Sequence, residues 1–331
     1  MKRTAIILLS ALALAVALSA LQYRSFLRAP LQIGEKGVYL QVARGATVRS
    51  VIADLDRMGL TRSDWRWWLL TRMQPVTIQA GEYTLEAGIP PQGLLALLAK
   101  GAVIQYRFTI IEGWTFRQLL AALCADPVLV REGLGQDAES AMLEAIGAAI
   151  DHPEGWFLPE TYQFIRGDSG LDILRRAHQA MQAELQTAWA ARDAGSPFRS
   201  AYELLTLASI VEKESSLETE RAAIAGVFVR RLQQGWRLET DPTVIYGLGQ
   251  DFDGDLRRQD LDTDSPYNTY TRYGLPPTPI AMPGRSSLRA AAMPAAGTAM
   301  FFVASGTGGH VFSDTLDDHN AAVRKMLTRK P

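Results

Sequence analysis

Leu204-Leu205-Thr206-Leu207-Ala208-Ser209-Ile210-Val211-Glu212-Lys213-Glu214-Ser215 is the stretch on which both fold and chemistry turn. Its apolar residues recur at helical spacing. With Leu207 at zero and about 100° per residue, Leu204, Ala208, Ile210 and Val211 fall between about −60° and +100°. Glu214 lands at about −20°, inside that stripe, whereas Glu212 at about 140° and Lys213 at about −120° lie outside it. A helix is therefore predicted that aims one glutamate at the buried side near its end and turns its neighbour elsewhere. Desolvation raises a carboxyl pKa, as a general acid at neutral pH requires. A buried carboxylate paired with Arg230 or Arg231 explains the same position, and periodicity leaves both readings open. Ser215-Ser216-Leu217-Glu218 reads as a capping box for a helix running to about residue 234, which gives Glu218 a structural job.

Downstream come Leu238-Glu239-Thr240-Asp241-Pro242-Thr243-Val244-Ile245-Tyr246-Gly247, then Ser265-Pro266-Tyr267-Asn268-Thr269-Tyr270, then Gly274-Leu275-Pro276-Pro277. Such loops combine rigid backbone with hydroxyl, amide and aromatic groups, the inventory that holds a sugar chain. Asp241, Thr243, Tyr246, Tyr267, Asn268 and Tyr270 are the candidate substrate-binding residues. Asp241-Pro242 serves equally well as a helix N-cap with Pro at N1, and the tyrosines as core with satisfied hydroxyls. A strand at 300–304 and a closing helix at about 317–327 are expected. Ser305-Gly306-Thr307-Gly308-Gly309 joins two strand-like runs as a turn.

Upstream, 31–105 reads as a small mixed domain. It has a strand at 38–42, a helix at 46–58 with Gly59 at C′, and a second helix capped by Asp64. A strand at 81–85 and a helix from Pro91 to near Gly101 follow. The pattern around 45–55 resembles a LysM peptidoglycan-binding module. Trp65, Trp67 and Trp68 suit either sugar stacking or a core. Residues 103–111 read as a strand, and 112–200 as largely helical. Glu154-Gly155-Trp156-Phe157-Leu158-Pro159-Glu160-Thr161-Tyr162 interrupts the latter as a structured, non-periodic loop.

At the N-terminus Lys2 and Arg3 precede an uncharged run, 4–21, and Arg24 and Arg28 follow it. A helix of that length reaches about 27 Å, enough to cross a bilayer core. A cleaved signal peptide, with Ala17 and Ser19 before the cut, competes, but the run is long for one. The expectation is a single-pass anchor with its basic end in the cytoplasm and 30–331 outside it.

The 331 residues are 47% hydrophobic and 21% charged, which excludes disorder and a polytopic membrane protein. With 34 basic against 35 acidic side chains there is no field for gathering nucleic acid. One cysteine, Cys124, excludes a disulfide framework and reads as a small buried side chain.

Several motifs stand in a familiar order: Glu112-Gly113-Trp114-Thr115, residues 154–162, 208–215, 241–247 and 267–270, 274–277, and Gly309-His310 with His319-Asn320. Together they resemble the MltG (YceG-like) endolytic murein transglycosylases over essentially the whole chain. Thr278 and Met282 depart from the family pattern, which usually reads Gly-Pro-Ile followed by Asn-Pro-Gly. The resemblance implies an α+β fold in three parts: an anchor (1–29), a LysM-like domain (30–107) and a catalytic domain (108–331). It maps the family's catalytic glutamate onto Glu214, with Asp241 or Glu160 able to assist. It implies cleavage of MurNAc–GlcNAc β-1,4 bonds in peptidoglycan glycan strands, leaving 1,6-anhydroMurNAc ends, without cofactor or metal. It further implies an inner-membrane protein with a periplasmic catalytic domain near glycan-strand synthases and division or elongation machinery.

Rival chemistries are weaker. Asp251, Asp253, Asp255 and Asp262 occupy EF-hand-like positions, but Leu256 stands where Gly is required. His310 and His319 match no metal signature, so hairpin and helix-cap roles are expected of them. Ser209 and Lys213 miss the Ser-x-x-Lys spacing. A non-catalytic wall-binding scaffold and a water-adding hydrolase remain as alternatives. An aminodeoxychorismate lyase, a label the family has also carried, would work in the cytoplasm and conflicts with the export segment.

Overall fold

A computed structural model describes residues 2–135, 139–306 and 308–328; Thr307, in the expected 305–309 turn, lies outside the described residues. The fold is mixed α+β. The chain divides into two compact units. One is Met1–Tyr106 with Val128–Val130 and Gln163–Asp168; the other is Arg107–Pro127, Arg131–Tyr162 and Ser169–Pro331.

The first unit opens with α1 (Lys2–Arg28), a 27-residue helix long and apolar enough to cross a membrane. Its large side chains from Ile6 to Leu21 are exposed, whereas Phe26 is buried edge-on against Trp67. Strand β1 (Val38–Val42) is followed by α2 (Val48–Arg57), α3 (Trp65–Met73), β2 (Gly81–Leu85) and α4 (Pro91–Lys100). Local chemistry sets these bounds. Thr47 and Ser50 form a capping box at the start of α2, and Asp64 caps α3 by accepting from Arg66 N. Gly101, at φ 64°, closes α4 in the left-handed conformation that glycine adopts without strain. β1 and β2 pair antiparallel from Val38↔Leu85 to Val42↔Gly81. They cover a core that includes Leu40, Leu55, Leu70, Tyr83 and Leu94. Trp67 joins that core at 1% exposed, its Nε1 donating to Thr61 Oγ1, whereas Trp65 and Trp68 stay 44% and 61% exposed.

Strand β3 (Tyr106–Thr109), shorter than the expected 103–111, pairs with β4 (Thr161–Phe164). Between them lie α5 (Phe116–Ala125) and α6 (Glu139–Ala145). Cys124 on α5 is a free, half-buried thiol rather than a fully buried one. The second unit continues with α7 (Gly170–Ala190), α8 (Ala201–Glu214), α9 (Glu218–Gln233), α10 (Asp241–Leu248), α11 (Arg258–Asp262) and α12 (Arg285–Ala292). It ends with β5 (Phe301–Ala304), β6 (His310–Ser313) and α13 (Leu316–Leu327). β5 and β6 form an antiparallel hairpin from Phe301↔Ser313 to Ala304↔His310.

Helix α8 is the axis of this unit, packed by α7, α9, α10 and α12. Every residue from Leu204 to Glu212 is buried. This corrects the expectation for Glu212, which lies outside the apolar stripe yet is buried. A wheel separates a wet face from a dry one only when a helix has a wet face, and α8 lacks one over most of its length. The capping box expected at 215–218 does not form. Leu217 is the N-cap of α9 without a side-chain bond, and Ser215 caps the C-terminus of α8, its Oγ accepting from Leu217 N.

Candidate active site

Glu214 is the last residue of α8, half-buried at the floor of a cleft of about 520 Å³. The segment entering α10 supplies one wall. Thr240 is the N-cap of α10 yet makes no capping bond to its own helix. Pro242, in the first turn, has no N–H to offer it. The Thr240 hydroxyl instead donates to Glu214 Oε1. Thr240 is held from behind: its N–H donates to Thr269 Oγ1 (3.1 Å), and Thr243 Oγ1 donates to its carbonyl (2.8 Å). Beside it, Tyr270 OH donates to Asp241 Oδ1 at 2.6 Å. Glu239 has φ 53°, a strained conformation for a residue with a Cβ, and it pairs with Arg231 at 3.3 Å across the same cleft.

Loss of solvation pushes the Glu214 carboxyl above its ordinary range. The neighbouring Asp241 charge adds to that push, and the Thr240 hydrogen bond, His310 and Arg231 oppose it. The result is a carboxyl that keeps its proton to higher pH than an exposed glutamate, with Oε1 held and the cleft at its tip. The alternative of a Glu214–arginine pair is not realised. Arg230 bonds the carbonyls of Ala295 and Ala299, and Arg231 those of Leu238 and Met300. The buried ion pair belongs to Glu212. Its Oε1 accepts from Arg221 at 2.8 Å, and its Oε2 accepts from Gly284 N and Ser287 Oγ at 2.9 and 2.8 Å.

A second cavity, about 860 Å³, lies on the other side of Asp241-Pro242, lined by Lys213, Pro242, Tyr246, Tyr267 and Glu154. Burial pushes the Glu154 carboxyl up to about 7, so by acidity it rivals Glu214. Geometry separates them. Glu154 is 3% exposed, and both its oxygens are occupied, by Phe116 N at 2.9 Å and Tyr246 OH at 3.0 Å. Each oxygen is thus tied to the protein, and almost none of the side chain is open to a substrate. Among the described residues no trio of His, Cys, Asp or Glu is grouped to hold a metal.

The YceG-like family model matches residues 40–325. The chain belongs to the YceG-like family. Over 311 residues it is 30% identical to the endolytic murein transglycosylase of Bacillus subtilis strain 168, spanning 88% of this chain and 86% of that one. The endolytic murein transglycosylase of Streptococcus pneumoniae D39 is 26% identical over 329 residues, and the match covers 59% of that longer protein. The crystal structure of a YceG-like protein from Listeria monocytogenes superposes with a TM-score of 0.54 at 28% identity, covering 87% of this chain and 99% of that one.

In this YceG-like chain the residues singled out from sequence scatter. Glu214, Asp241 and Tyr270 share the first cleft. Thr243 is fully buried behind Thr240. Asn268, 1% exposed, donates to the carbonyls of Asp260, Leu261 and Thr263, holding its own loop rather than facing the cleft. Tyr246 and Tyr267 line the second cavity, ring centroids 5.0 Å apart. Glu160 lies apart from both, paired with Arg285 at 3.2 Å. Of the departures from the family pattern, Thr278 shares a hydrogen bond with Tyr267 (2.9 Å), and Met282 pairs its backbone with Gly113 and Trp114. His310 stands in the β5–β6 hairpin as expected, opposite Ala304, and His319 lies within α13 rather than at its cap, which is Thr315; both also line the Glu214 cleft. Thr240 carries no signal of its role beyond standing beside Asp241 in the same motif.

Proposed function

We propose that this chain is an endolytic murein transglycosylase, a glycan lyase that uses Glu214 as its acid. The observation that carries this reading is the raised Glu214 carboxyl, anchored on one oxygen by Thr240 at the floor of an open cleft. Family membership and the endolytic murein transglycosylases among its relatives support murein as the substrate class, and the bond we assign is the MurNAc–GlcNAc β-1,4 bond of its glycan strands. Glu214 gives its proton to the glycosidic oxygen as the bond from C1 to that oxygen breaks. The 2-acetamido group steadies the developing charge. The C6 hydroxyl oxygen of MurNAc then attacks C1 and loses its proton to the carboxylate, closing a 1,6-anhydro ring without water. One carboxyl suffices, unlike the pair of most glycoside hydrolases. Asp241 and Tyr270 are the substrate-binding residues that line this cleft.

The same reading assigns α1 as a single-pass anchor in the inner membrane, with Lys2 and Arg3 cytoplasmic and the catalytic domain (108–331) in the periplasm. Residues 30–107 form a LysM-like glycan-binding domain, a role supported by the exposed indoles of Trp65 and Trp68. Strand synthases and division or elongation proteins are the expected company.

Mass spectrometry of peptidoglycan treated with the full-length chain tests the proposal. Anhydro-ended fragments, lost with Glu214→Gln and kept with Glu154→Gln, are the expected result. Reducing ends would replace the lyase by a hydrolase. No cleavage by the wild type would favour a wall-binding scaffold.

A further inference from the structure

His310 begins β6 and is gripped at two points by Glu220, in the first turn of α9. Its backbone N–H donates to Glu220 Oε1 at 3.0 Å, and its ring Nδ1 lies 2.7 Å from Glu220 Oε2. Gly309 leaves room for this approach: a Cβ there would sit 2.6 Å from Glu220 Oε1. The ring stands edge-on to Phe302, centroids 5.5 Å apart at 85°, which fixes its remaining rotation. Both bonds hold the Glu220 carboxyl below its ordinary range, so it is an ionised acceptor and Nδ1 carries the hydrogen. In the neutral ring the lone pair is therefore on Nε2. That atom has no hydrogen-bond partner among the described residues and is not one of the buried, unpartnered ones, and the ring lines the Glu214 cleft. A hairpin anchor needs none of this orientation. His319 offers a contrast: it stacks on Phe301, and its Nδ1 is buried with no partner, so no carboxylate sets its tautomer.

We propose that His310 is a second catalytic residue, the base that takes the proton of the attacking hydroxyl, with Glu220 as its positioning residue. This rests on the transglycosylase reading above and divides between two groups the proton work there given to Glu214 alone. The hydroxyl O–H bond breaks, its electron pair forms the new bond from O6 to C1, and its proton passes to Nε2. The bond from C1 to the glycosidic oxygen breaks with its pair on oxygen, which takes the Glu214 proton. Imidazolium and the Glu214 carboxylate remain, and one proton transferred between them across the cleft resets both.

The charges that bear on this imidazole come from every wall of the cleft: Glu214 on α8, Glu220 and Arg231 on α9, and Glu239 and Asp241 at the entry to α10. Tyr270 and His319 complete the set. The test is kcat/KM for release of anhydro ends by the full-length chain from pH 4 to 9, in wild type, His310→Asn and Glu220→Gln. Asn keeps a donor where Nδ1 stands, hence the Glu220 anchor, and has nothing at Nε2. His310→Asn is expected to lose about a hundredfold or more and the acid limb of the profile with it. Glu220→Gln should lower kcat with KM little changed, and the conservative Glu220→Asp should restore part of the loss. A His310→Asn variant with the wild-type rate, or one uniformly slower with both limbs intact, would overturn the proposal. A wild type that releases no anhydro ends would instead sink the activity on which it rests.

Discussion

Thr240 gives its hydroxyl hydrogen to Glu214, joining the first residue of the α10 entry to the last residue of α8. An N-cap threonine ordinarily spends its side chain on its own helix. Here Pro242 withholds a donor in the first turn, while Thr243 and Thr269 hold the Thr240 backbone in place. The hydroxyl is thus aimed out of its helix and at the acid.

Thr240→Val keeps the shape and removes the donor. The Thr240 bond lowers the Glu214 pKa, so its loss raises that pKa further. The basic limb of the pH–rate profile should move to higher pH. The rate at neutral pH should fall about tenfold, the worth of one hydrogen bond to a charged group. Steady-state kinetics across pH on purified glycan would show both.

Glu212 and Glu214 should respond oppositely in stability. Glu212→Ala takes the nearer carboxylate from buried Arg221, leaving Glu112 at 3.5 Å, and strips Gly284 N and Ser287 Oγ of their acceptor, a loss of about 3 kcal/mol in denaturant titrations. Glu214→Gln removes a desolvated carboxyl, so at pH 7.5 it should melt no lower than wild type while activity vanishes.

Glu154 gives a pH signature of folding. Its carboxyl titrates near 7 in the folded chain against an ordinary 4.5, so the folded state binds the proton more tightly. Its contribution is present in full below about 4.5 and is lost as pH rises through about 7, a change of about 3 kcal/mol. The difference in unfolding free energy between wild type and Glu154→Gln should follow that curve.

The tryptophans of the first unit should separate core from surface. Trp67→Ala should cost about 3–5 kcal/mol, because it empties a site in the core. Trp68→Ala should change stability by no more than about 0.5 kcal/mol and, if this domain holds glycan, weaken retention on insoluble peptidoglycan.

Much of the fold is legible locally. The expected strands at 38–42 and 81–85 coincide with β1 and β2, and Asp64, Pro91 and Gly101 mark helix ends as their chemistry dictates. Periodicity errs at Glu212, because α8 is enclosed and a buried polar side chain there is decided by Arg221, Gly284 and Ser287 from other elements. It errs again at 215–218, where Ser215 closes one helix rather than opening the next.

Short-range pattern settled what each segment is: which runs are helix or strand, where they stop, and that Glu214 lies on the inward stripe of α8. Those properties depend on residues within a few positions of one another, so they survive reading in one dimension. What surrounds Glu214 was decided only by tertiary structure. Thr240, Asp241, Tyr270 and His310 come from separate loops and a hairpin, and no spacing rule links them to the end of α8. Long-range packing alone paired Glu160 with Arg285 and set a histidine held by Glu220 in the cleft of the acid.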